Sequence, residues 1–365
     1  MTDTSVTVSI GGKPLAASAL SSVQSVDVHE GMNAQTQVSV VVTATVDDTS
    51  NWSSPLDELV QPFAEFDVTI ERGDTSLVVP ARATSAAWSL QAGALSTMTI
   101  AGLDASADLD REEHDKPWGG VSDSDIARSL LSAIGAPKVT GTDAPEGSDS
   151  STPRQRATDW AYLRMLADRN LFDVYVTSET GQVMGVFEPI DPLAAPSLTL
   201  DLGYGALGGT SSVRVQLATG QQVKVTHGIE GQSDQQIATN DGTGNAMGTQ
   251  SLGGAVTVLR HEQDLEGRQK PDVAARVMAE SSAFGASLLV TLSATTMPLV
   301  RARRTVTVRG LGSLVSGLWL VKSVRHTITQ GGHTQVLVLT RNALGDSSAG
   351  GAGGAADALS SAVGF

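Results

Sequence analysis

The 365-residue sequence contains no cysteine. Disulfides, thiolate zinc sites, iron–sulfur clusters and a cysteine nucleophile are therefore all excluded. The sequence also lacks an apolar run near the ~20 residues that a membrane-spanning helix needs, so no membrane span is predicted. Met1 to Thr4 bring neither a basic region nor an apolar core, and we expect no secretory signal peptide. These absences predict a protein that is made in the cytoplasm and works without redox chemistry.

Positive charge is scarce as well. The chain has 24 Lys and Arg against 39 Asp and Glu, a formal net charge of −15, which disfavours a specific nucleic-acid partner. Between Val256 and Asn342, however, eleven basic residues face five acidic ones, so this part carries +6 and the remainder −21. One interpretation is chance combined with solubility. The other is a cationic face that meets an anionic neighbour, which could be a second copy of the chain.

Apolar residues are plentiful enough for buried cores, at 40% of the chain, and the length allows two or three domains. Apolar and polar residues alternate with period two through much of the first hundred residues, which predicts an antiparallel sheet with one buried face. The predicted strands are Val6–Ile10, Ser25–His29, Gln37–Val46, Phe66–Ile70, Ala81–Leu90 and Thr97–Ile100. We assign residues 1–104 to a first tube-like β-domain.

The pattern changes to α+β over residues 105–208, which we expect to form an insert domain. Ser122 is a candidate N-cap for a helix, and a second helix is predicted from about Pro153 to Asn170. Residues 209–344 return to β alternation and predict a second tube-like β-domain, with a helical excursion near 271–284 and an exposed loop at 231–254. The Gly/Ala-rich residues 345–365 are interpreted as a tail. The predicted fold class is thus α+β and predominantly β, with two antiparallel barrel or sandwich domains.

The two β-rich parts have similar patterns of apolar and polar residues. A shift of 238 positions without a gap places Val68–Ile70 on Val306–Val308, Ala83 on Val321 and Trp88 on His326. The same shift places Met98 and Ile100 on Val336 and Val338. Either one β-domain occurs twice in the chain, or two unrelated antiparallel segments share a pattern by coincidence.

Motifs for catalysis, cofactor binding or metal binding are not found. His326 and His333 flank a predicted hairpin and could bind a metal, but Asp and Glu are absent from residues 281–345, so a third ligand is missing. We interpret the two histidines as cross-strand surface residues. We predict no catalytic residue, no cofactor and no metal, and therefore no enzyme.

Arginine is concentrated near the last predicted strands, and two interpretations are open. The charges either protect a solvated strand edge from aggregation or contact carboxylates of a neighbouring subunit. We favour the second, because five long side chains gather in one sheet. The candidate subunit or partner contacts are Arg301, Arg303, Arg304, Arg309 and Arg325.

Two stretches resemble a known family. Thr158 to Val176 is similar to the "DWxFLxxLAxRxGxxxxV" helix–strand unit of the phage late control D family. Thr305 to Gly312, Leu314 to Ile328 and Thr334 to Leu344 resemble the family's closing strands, including the "SGxYxVxxVxH" pattern. His333 replaces a frequent aromatic, and Arg303-Arg304 replaces a frequent Pro-Gly.

This family comprises baseplate hub proteins of contractile tails and is similar to the hub portion of VgrG spikes of type VI secretion. The resemblance implies a homotrimeric ring with two tube-like domains per chain, which adapts a three-fold spike to a hexameric inner tube. It implies a separate spike (needle) protein, an inner tube protein and other baseplate proteins as partners. It further implies synthesis in a bacterial cytoplasm and incorporation into a phage tail or phage-tail-like particle. Alternatives are a carbohydrate- or surface-binding β-protein and a baseplate-associated hydrolase.

Overall fold

The computed structural model describes residues 4–345 apart from 47–50, 91–94, 143–153, 180–181, 204–209, 218–219, 228–235, 262–270 and 294–295. The described helices are α1 (Ala17–Leu20), α2 (Asp123–Leu131), α3 (Asp159–Asn170) and α4 (Pro271–Ala283), with 3-10 turns at Asp57–Leu59 and Ala105–Asp110. The described strands in the N-terminal half are β1 (Thr4–Ile10), β2 (Lys13–Pro14), β3 (Val23–Gly31), β4 (Gln37–Thr43), β5 (Thr45–Val46), β6 (Trp52–Ser53), β7 (Glu65–Arg72), β8 (Thr75–Ser89), β9 (Thr97–Asp104), β10 (Glu113–Pro117), β11 (Ala136–Val139), β12 (Arg154–Thr158), β13 (Phe172–Glu179) and β14 (Gln182–Pro189). Those in the C-terminal half are β15 (Leu198–Asp201), β16 (Ser211–Val215), β17 (Gln221–His227), β18 (Gln236–Asn240), β19 (Gln250–Ser251), β20 (Val256–His261), β21 (Ala286–Leu292), β22 (Thr305–Arg309), β23 (Gly317–Thr329), β24 (Gly332–Arg341) and β25 (Ala343–Leu344).

One 13-stranded sheet contains strands from both ends of the chain. Its order is β16-β21-β24-β23-β3-β4-β9-β8-β7-β1-β2, and β22, paired with both β15 and β23, lies off this path. Within this sheet the pairs are antiparallel except β15 with β22. The predicted class, α+β and predominantly β with antiparallel pairing, is confirmed.

Two hydrophobic cores lie along this sheet. Strands β1, β3, β4, β7, β8 and β9, here called the first module, bury one alternating set of side chains that includes Val40, Phe66 and Ile100. Strands β15, β16 and β21–β24, called the second module, bury a separate set around Trp319. Period-two alternation produces this arrangement, because successive side chains of a strand point to opposite faces.

The two modules repeat the same three-stranded unit. The central strands β8 and β23 each carry a β-bulge, between Ala83 and Ser85 in the first and between Val321 and Ser323 in the second. These positions lie 238 residues apart, the shift found in the sequence. Since a bulge interrupts the ladder at one defined place, its recurrence supports the predicted repeat for the central strands.

The shift differs in the flanking strands. Trp88 pairs with Met98, whereas its equivalent His326 pairs with Gln335, so the shift from β9 to β24 is 237. Phe66 pairs with Ala81, and Val306 pairs with Trp319, which is the equivalent of Ala81. The shift from β7 to β22 is therefore 240. The predicted match of Met98 with Val336 is therefore wrong by one residue and that of Val68 with Val306 by two, because the loops that join these strands to the central strand differ in length.

The part between the modules, β10 to β14 and called the insert, has its own core. Helices α2 and α3 pack with the strands β11-β14-β13 around Leu131, Leu163 and Phe187. Ser122 caps α2 as predicted, because its hydroxyl accepts a hydrogen bond from the Asp125 N–H at 3.1 Å. The predicted start of the second helix at Pro153 is wrong, since α3 begins at Asp159 after β12.

A small sheet, β18-β17-β20, packs against α4 around Val223 and Ala275. This α4 matches the predicted helical excursion. The prediction of an exposed loop at 231–254 is wrong in its described part, which contains β18 and β19 and the fully buried Met247. The predicted domain boundaries stay predictions, and β15 joins the second module from before the boundary at 208. The tail beyond residue 345 lies outside the described residues.

Candidate assembly surface

The two modules meet at a strand joint. Strand β3 of the first module pairs antiparallel with β23 of the second, from Ser323 opposite Gly31 to Thr329 opposite Ser25. The same half of β23 pairs with β24 on its other side, so both edges of this half are occupied. One sheet therefore passes from module to module without a gap.

A pair of buried histidines lies at this joint. His326 is fully buried, and its Nδ1 lies 3.2 Å from Nε2 of His333. Nδ1 of His333 lies 3.2 Å from the hydroxyl of Thr4, which accepts a hydrogen bond from Arg72. The prediction of cross-strand surface residues is wrong, because strands of the first module lie against this hairpin and both rings are buried. Across the described ranges, no group of three or more candidate ligand residues is placed to hold a metal.

The surroundings keep both histidines neutral. Burial lowers the pKa of His326 to about 4, although the nearby Glu30 carboxylate opposes this shift. Burial, together with the neighbouring His326 and Arg72, lowers the pKa of His333 to about 3. At neutral pH the two rings are therefore uncharged, and His333 contacts the first module through Thr4.

Glu30, at the end of β3, is a buried carboxylate held by arginine. Arg301 donates from Nη2 to Oε1 and from Nε to Oε2, both at 3.0 Å. Burial by itself would raise the pKa of Glu30, but the guanidinium groups of Arg301 and Arg303 hold it below its usual value. A two-point contact of this kind fixes the orientation of both side chains.

Arg303 connects the insert to the modules. Its Nε lies 3.1 Å from Oδ2 of Asp173 in β13, and its Nη2 donates to the Gly31 carbonyl at 2.5 Å. The guanidinium also lies 4.2 Å from the ring centroid of Tyr175. Burial raises the pKa of Asp173 to about 6 despite the neighbouring Arg303 charge. One side chain thus contacts both the insert and the first module, which have separate hydrophobic cores.

The other candidate arginines lie on the surface. Arg304 and Arg309 are exposed, and Nη2 of Arg325 lies 3.0 Å from Oδ1 of Asp27 in β3. Arg301, Arg303 and Arg325 therefore contact acidic residues of their own chain, on elements far away in sequence. The sequence contained a signal for these ion pairs, namely the acidic residues Asp27 and Glu30 in or next to a predicted strand. It does not reveal which acidic residue each arginine contacts. The role of the five arginines as subunit contacts stays a prediction.

Two strand edges of the large sheet have no strand partner in the part of the chain that the structure describes. Among the described strands, the bulged end of β8 pairs only with β9, and β16 pairs only with β21. Trp88 on β8 is 44% exposed and Val213 on β16 is 40% exposed. Exposed apolar residues on open edges are typical of surfaces that meet another chain.

Solved structures with a similar fold include tail proteins. The chain is similar to the tail protein of Neisseria meningitidis MC58 (TM-score 0.64, 14% identity, covering 93% of this chain and 97% of that one). It is similar to the 43 kDa tail protein of prophage MuSo2 from Shewanella oneidensis (TM-score 0.63, 14% identity, 94% and 97% covered). It is also similar to the Escherichia coli c3393 protein, a component of the type VI secretion system with structural similarity to bacteriophage T4 tail proteins (TM-score 0.56, 9% identity, 87% and 73% covered). No family model and no curated protein matches the sequence.

At these identities the likeness establishes the fold, and the fold is that of the tail and type VI proteins that the sequence resemblance predicts. A role in a tail or injection particle is the theme these neighbours share, and the names of these three describe no enzyme. None of the described helices has the length and apolar character to cross a membrane.

Proposed function

We propose that the protein is the structural hub of a contractile phage tail or a phage-tail-like injection system. Three copies form a ring that carries a separate spike protein on one side and a hexameric inner tube on the other, with further baseplate proteins around it. In this role the chain is a passive adaptor and not an enzyme. Its chemistry is strand pairing, apolar packing and charge matching between subunits.

The observation that carries this proposal is the repeated module. Both modules contain the same bulged three-stranded unit, and they are joined edge to edge by β3 and β23 within one sheet. Three chains then supply six similar modules, so a three-fold assembly presents a six-fold rim. This resolves the mismatch between a trimeric spike and a hexameric tube.

The mass of the native protein tests the proposal. We expect native mass spectrometry to give three times the 37.6 kDa chain mass, either for the protein alone or after mixing with the spike protein of the same genome. Electron microscopy of that species should show a ring with six similar lobes. A monomer under both conditions would overturn the hub function.

A further inference from the structure

A polar pocket lies on the face of the large sheet that is turned away from the hydrophobic core of the first module. Its volume is about 330 Å³, and it extends over β3, β4, β9 and the adjoining part of β23. Alternation places Ser39 on this face, because its neighbours Val38 and Val40 point into the core. The pocket is therefore separate from the buried joint of Glu30 and the histidines.

Two neighbouring rows of paired residues form the pocket. One row contains the larger side chains, each directly opposite the next across the sheet, namely Arg325, His29, Gln37 and Leu103. The other row contains shorter side chains, namely Asp27, Ser39 and Ala101. Rows that differ by two residues lie about 7 Å apart along the strands. The larger row thus forms a wall, and Ser39 and Ala101 form the floor beside it.

The second module has a different floor at the equivalent place. Ser39 pairs with Ala101 in the first module, and the equivalent pair in the second module is Leu289 with Val338. Leu289 is 46% exposed on the face where Ser39 leaves space. Because the two modules share one strand arrangement, the small floor residues come from the sequence of the first module and are not required by the fold.

Several polar atoms of the pocket have no hydrogen-bond partner within the described chain. Nε and Nη2 of Arg325 lie 3.1 Å and 3.0 Å from Oδ1 of Asp27, so both approach the same carboxylate oxygen. Oδ2 of Asp27 and Nη1 of Arg325 stay available. The side chains of His29, Gln37 and Ser39 make no hydrogen bond to a described residue. The pocket therefore offers one acceptor, one donor and three groups that can both donate and accept.

The charges of the pocket favour an uncharged ligand. Asp27 and Arg325 neutralise each other through their ion pair. Burial, together with the Arg325 charge, lowers the pKa of His29, so its ring is neutral at neutral pH. Hydroxyl groups match this set best, because each hydroxyl can donate and accept at the same time.

The pairing of the strands disfavours a polypeptide as the ligand. Extended peptides are commonly bound through main-chain hydrogen bonds at an open sheet edge. Strands β3, β4 and β9 are paired on both sides at the pocket, so their main chains have no free edge to offer. Recognition here depends on side chains, and the volume lies at the lower end of the ~300–1,000 Å³ that small-molecule sites have.

We propose that this pocket binds a small neutral saccharide. Its hydroxyl groups donate to Oδ2 of Asp27, accept from Nη1 of Arg325 and form hydrogen bonds with Gln37 and Ser39, while the sugar ring lies on Ala101. This site is additional to the hub function and does not depend on it, since all its residues come from one chain.

Ligand-observed NMR and calorimetry on the full chain test the proposal with D-glucose, D-galactose, N-acetyl-D-glucosamine, lactose and cellobiose. We expect at least one of these sugars to bind with a Kd of about 1 mM or tighter. No binding of any of the five at about 20 mM overturns the proposal. N-acetylglycinamide, a neutral compound with two amide groups, is the probe for a peptide-like ligand. If it binds as tightly as the best sugar, the assignment to a saccharide is wrong.

The repeat provides matched variants. Ser39→Leu introduces the residue of the second module, fills the floor and should weaken binding of the best sugar about tenfold or more. Leu289→Ser, the reciprocal change in the second module, should leave the affinity unchanged. Gln37→Ala, at an exposed position, removes a hydrogen-bonding group without filling the pocket and should weaken binding about threefold or more.

All three substitutions lie on the face away from the cores, so we expect each variant to melt within a few degrees of the natural protein. Unchanged affinity in Ser39→Leu, or an equal loss in Leu289→Ser, overturns the site. Either result leaves the hub function standing, because that function is tested by the mass of the assembly. Conversely, a monomer that binds the sugar with this pattern overturns the hub and supports the site.

Discussion

At the scale of single residues, buried charges and histidines determine how the parts of the chain are joined. Arg303 has an unusual backbone conformation, with φ of 69°, and contacts groups of both the first module and the insert. A left-handed conformation at a non-glycine residue is costly and persists where the surrounding contacts fix it. The arginine that the sequence singles out for subunit contacts has a structural role inside the chain.

We predict that Arg303→Met destabilises the protein by about 3 kcal/mol or more, because removing one partner of a buried ion pair leaves an uncompensated charge. Glu30 and Asp173 would both lose a cation. The change in the free energy of unfolding can be measured by urea denaturation. Arg309→Met, at an exposed position on β22, is the matched control and should change stability by less than about 0.5 kcal/mol. Equal effects of both variants would contradict this assignment.

The histidine pair predicts a pH dependence. The unfolded chain protonates His326 near pH 6.5, whereas the folded chain does so near pH 4. Between these values the unfolded state binds more protons, so the stability that is complete above pH 6.5 is lost as the pH falls. This group alone should cost about 2 kcal/mol between pH 6.5 and 4.5.

The variant His326→Gln keeps a similar size and a hydrogen-bonding side chain but cannot titrate. We expect the stability difference between the natural protein and this variant to shrink by that amount from pH 6.5 to 4.5, as followed by thermal unfolding. Asp173, with its pKa raised to about 6, acts in the opposite direction. Its contribution cancels because both proteins contain it. A pH-independent difference would refute the role assigned to His326.

At the scale of elements, the repeated unit shows how two sequences fill one architecture. Gly102 faces the bulge of β8 opposite Ala83, and its equivalent Leu339 faces Val321. In the first module the ring of Phe66 fills the space above this position, and in the second the smaller Val306 leaves room for leucine. Large and small residues thus exchange places between strands while the core stays packed.

We predict that Gly102→Ala destabilises the first module by about 1–3 kcal/mol through overpacking. A Cβ atom at this position would lie 2.5 Å from the Arg82 carbonyl oxygen and 2.9 Å from the Phe66 ring, so the backbone of β8 must move. Gly141→Ala is the control, since a Cβ atom there meets nothing within 4 Å. Denaturant unfolding of the two variants should therefore differ, and equal midpoints would disprove the packing argument.

At the scale of the whole molecule, a single sheet connects the two modules, and within the described chain the bulged end of β8 and the outer side of β16 have no strand partner. The internal joint is polar at its centre, with Glu30, Arg301 and the histidine pair, whereas the exposed edges carry Trp88 and Val213. A joint within one chain forms without the entropy cost of bringing two molecules together, so it tolerates buried polar groups. A joint between chains has to overcome the entropy of association, which apolar burial favours.

The sequence by itself determined the kind and order of most of the described elements and indicated the repeat of the central strands. Alternation reveals a strand and its buried face locally, since side chains follow a period of two, and the 238-residue shift locates the equivalent central strands. Tertiary structure decided which strand edges pair, and with this that His326 is buried. It also decided that β12 and not a helix precedes Asp159. Finally, it brought Arg301 and Arg303 into contact with Glu30, which lies some 270 residues away in sequence. Pairing between distant strands depends on loop lengths and on which edge is already occupied, and neither property is written in the local pattern of one strand.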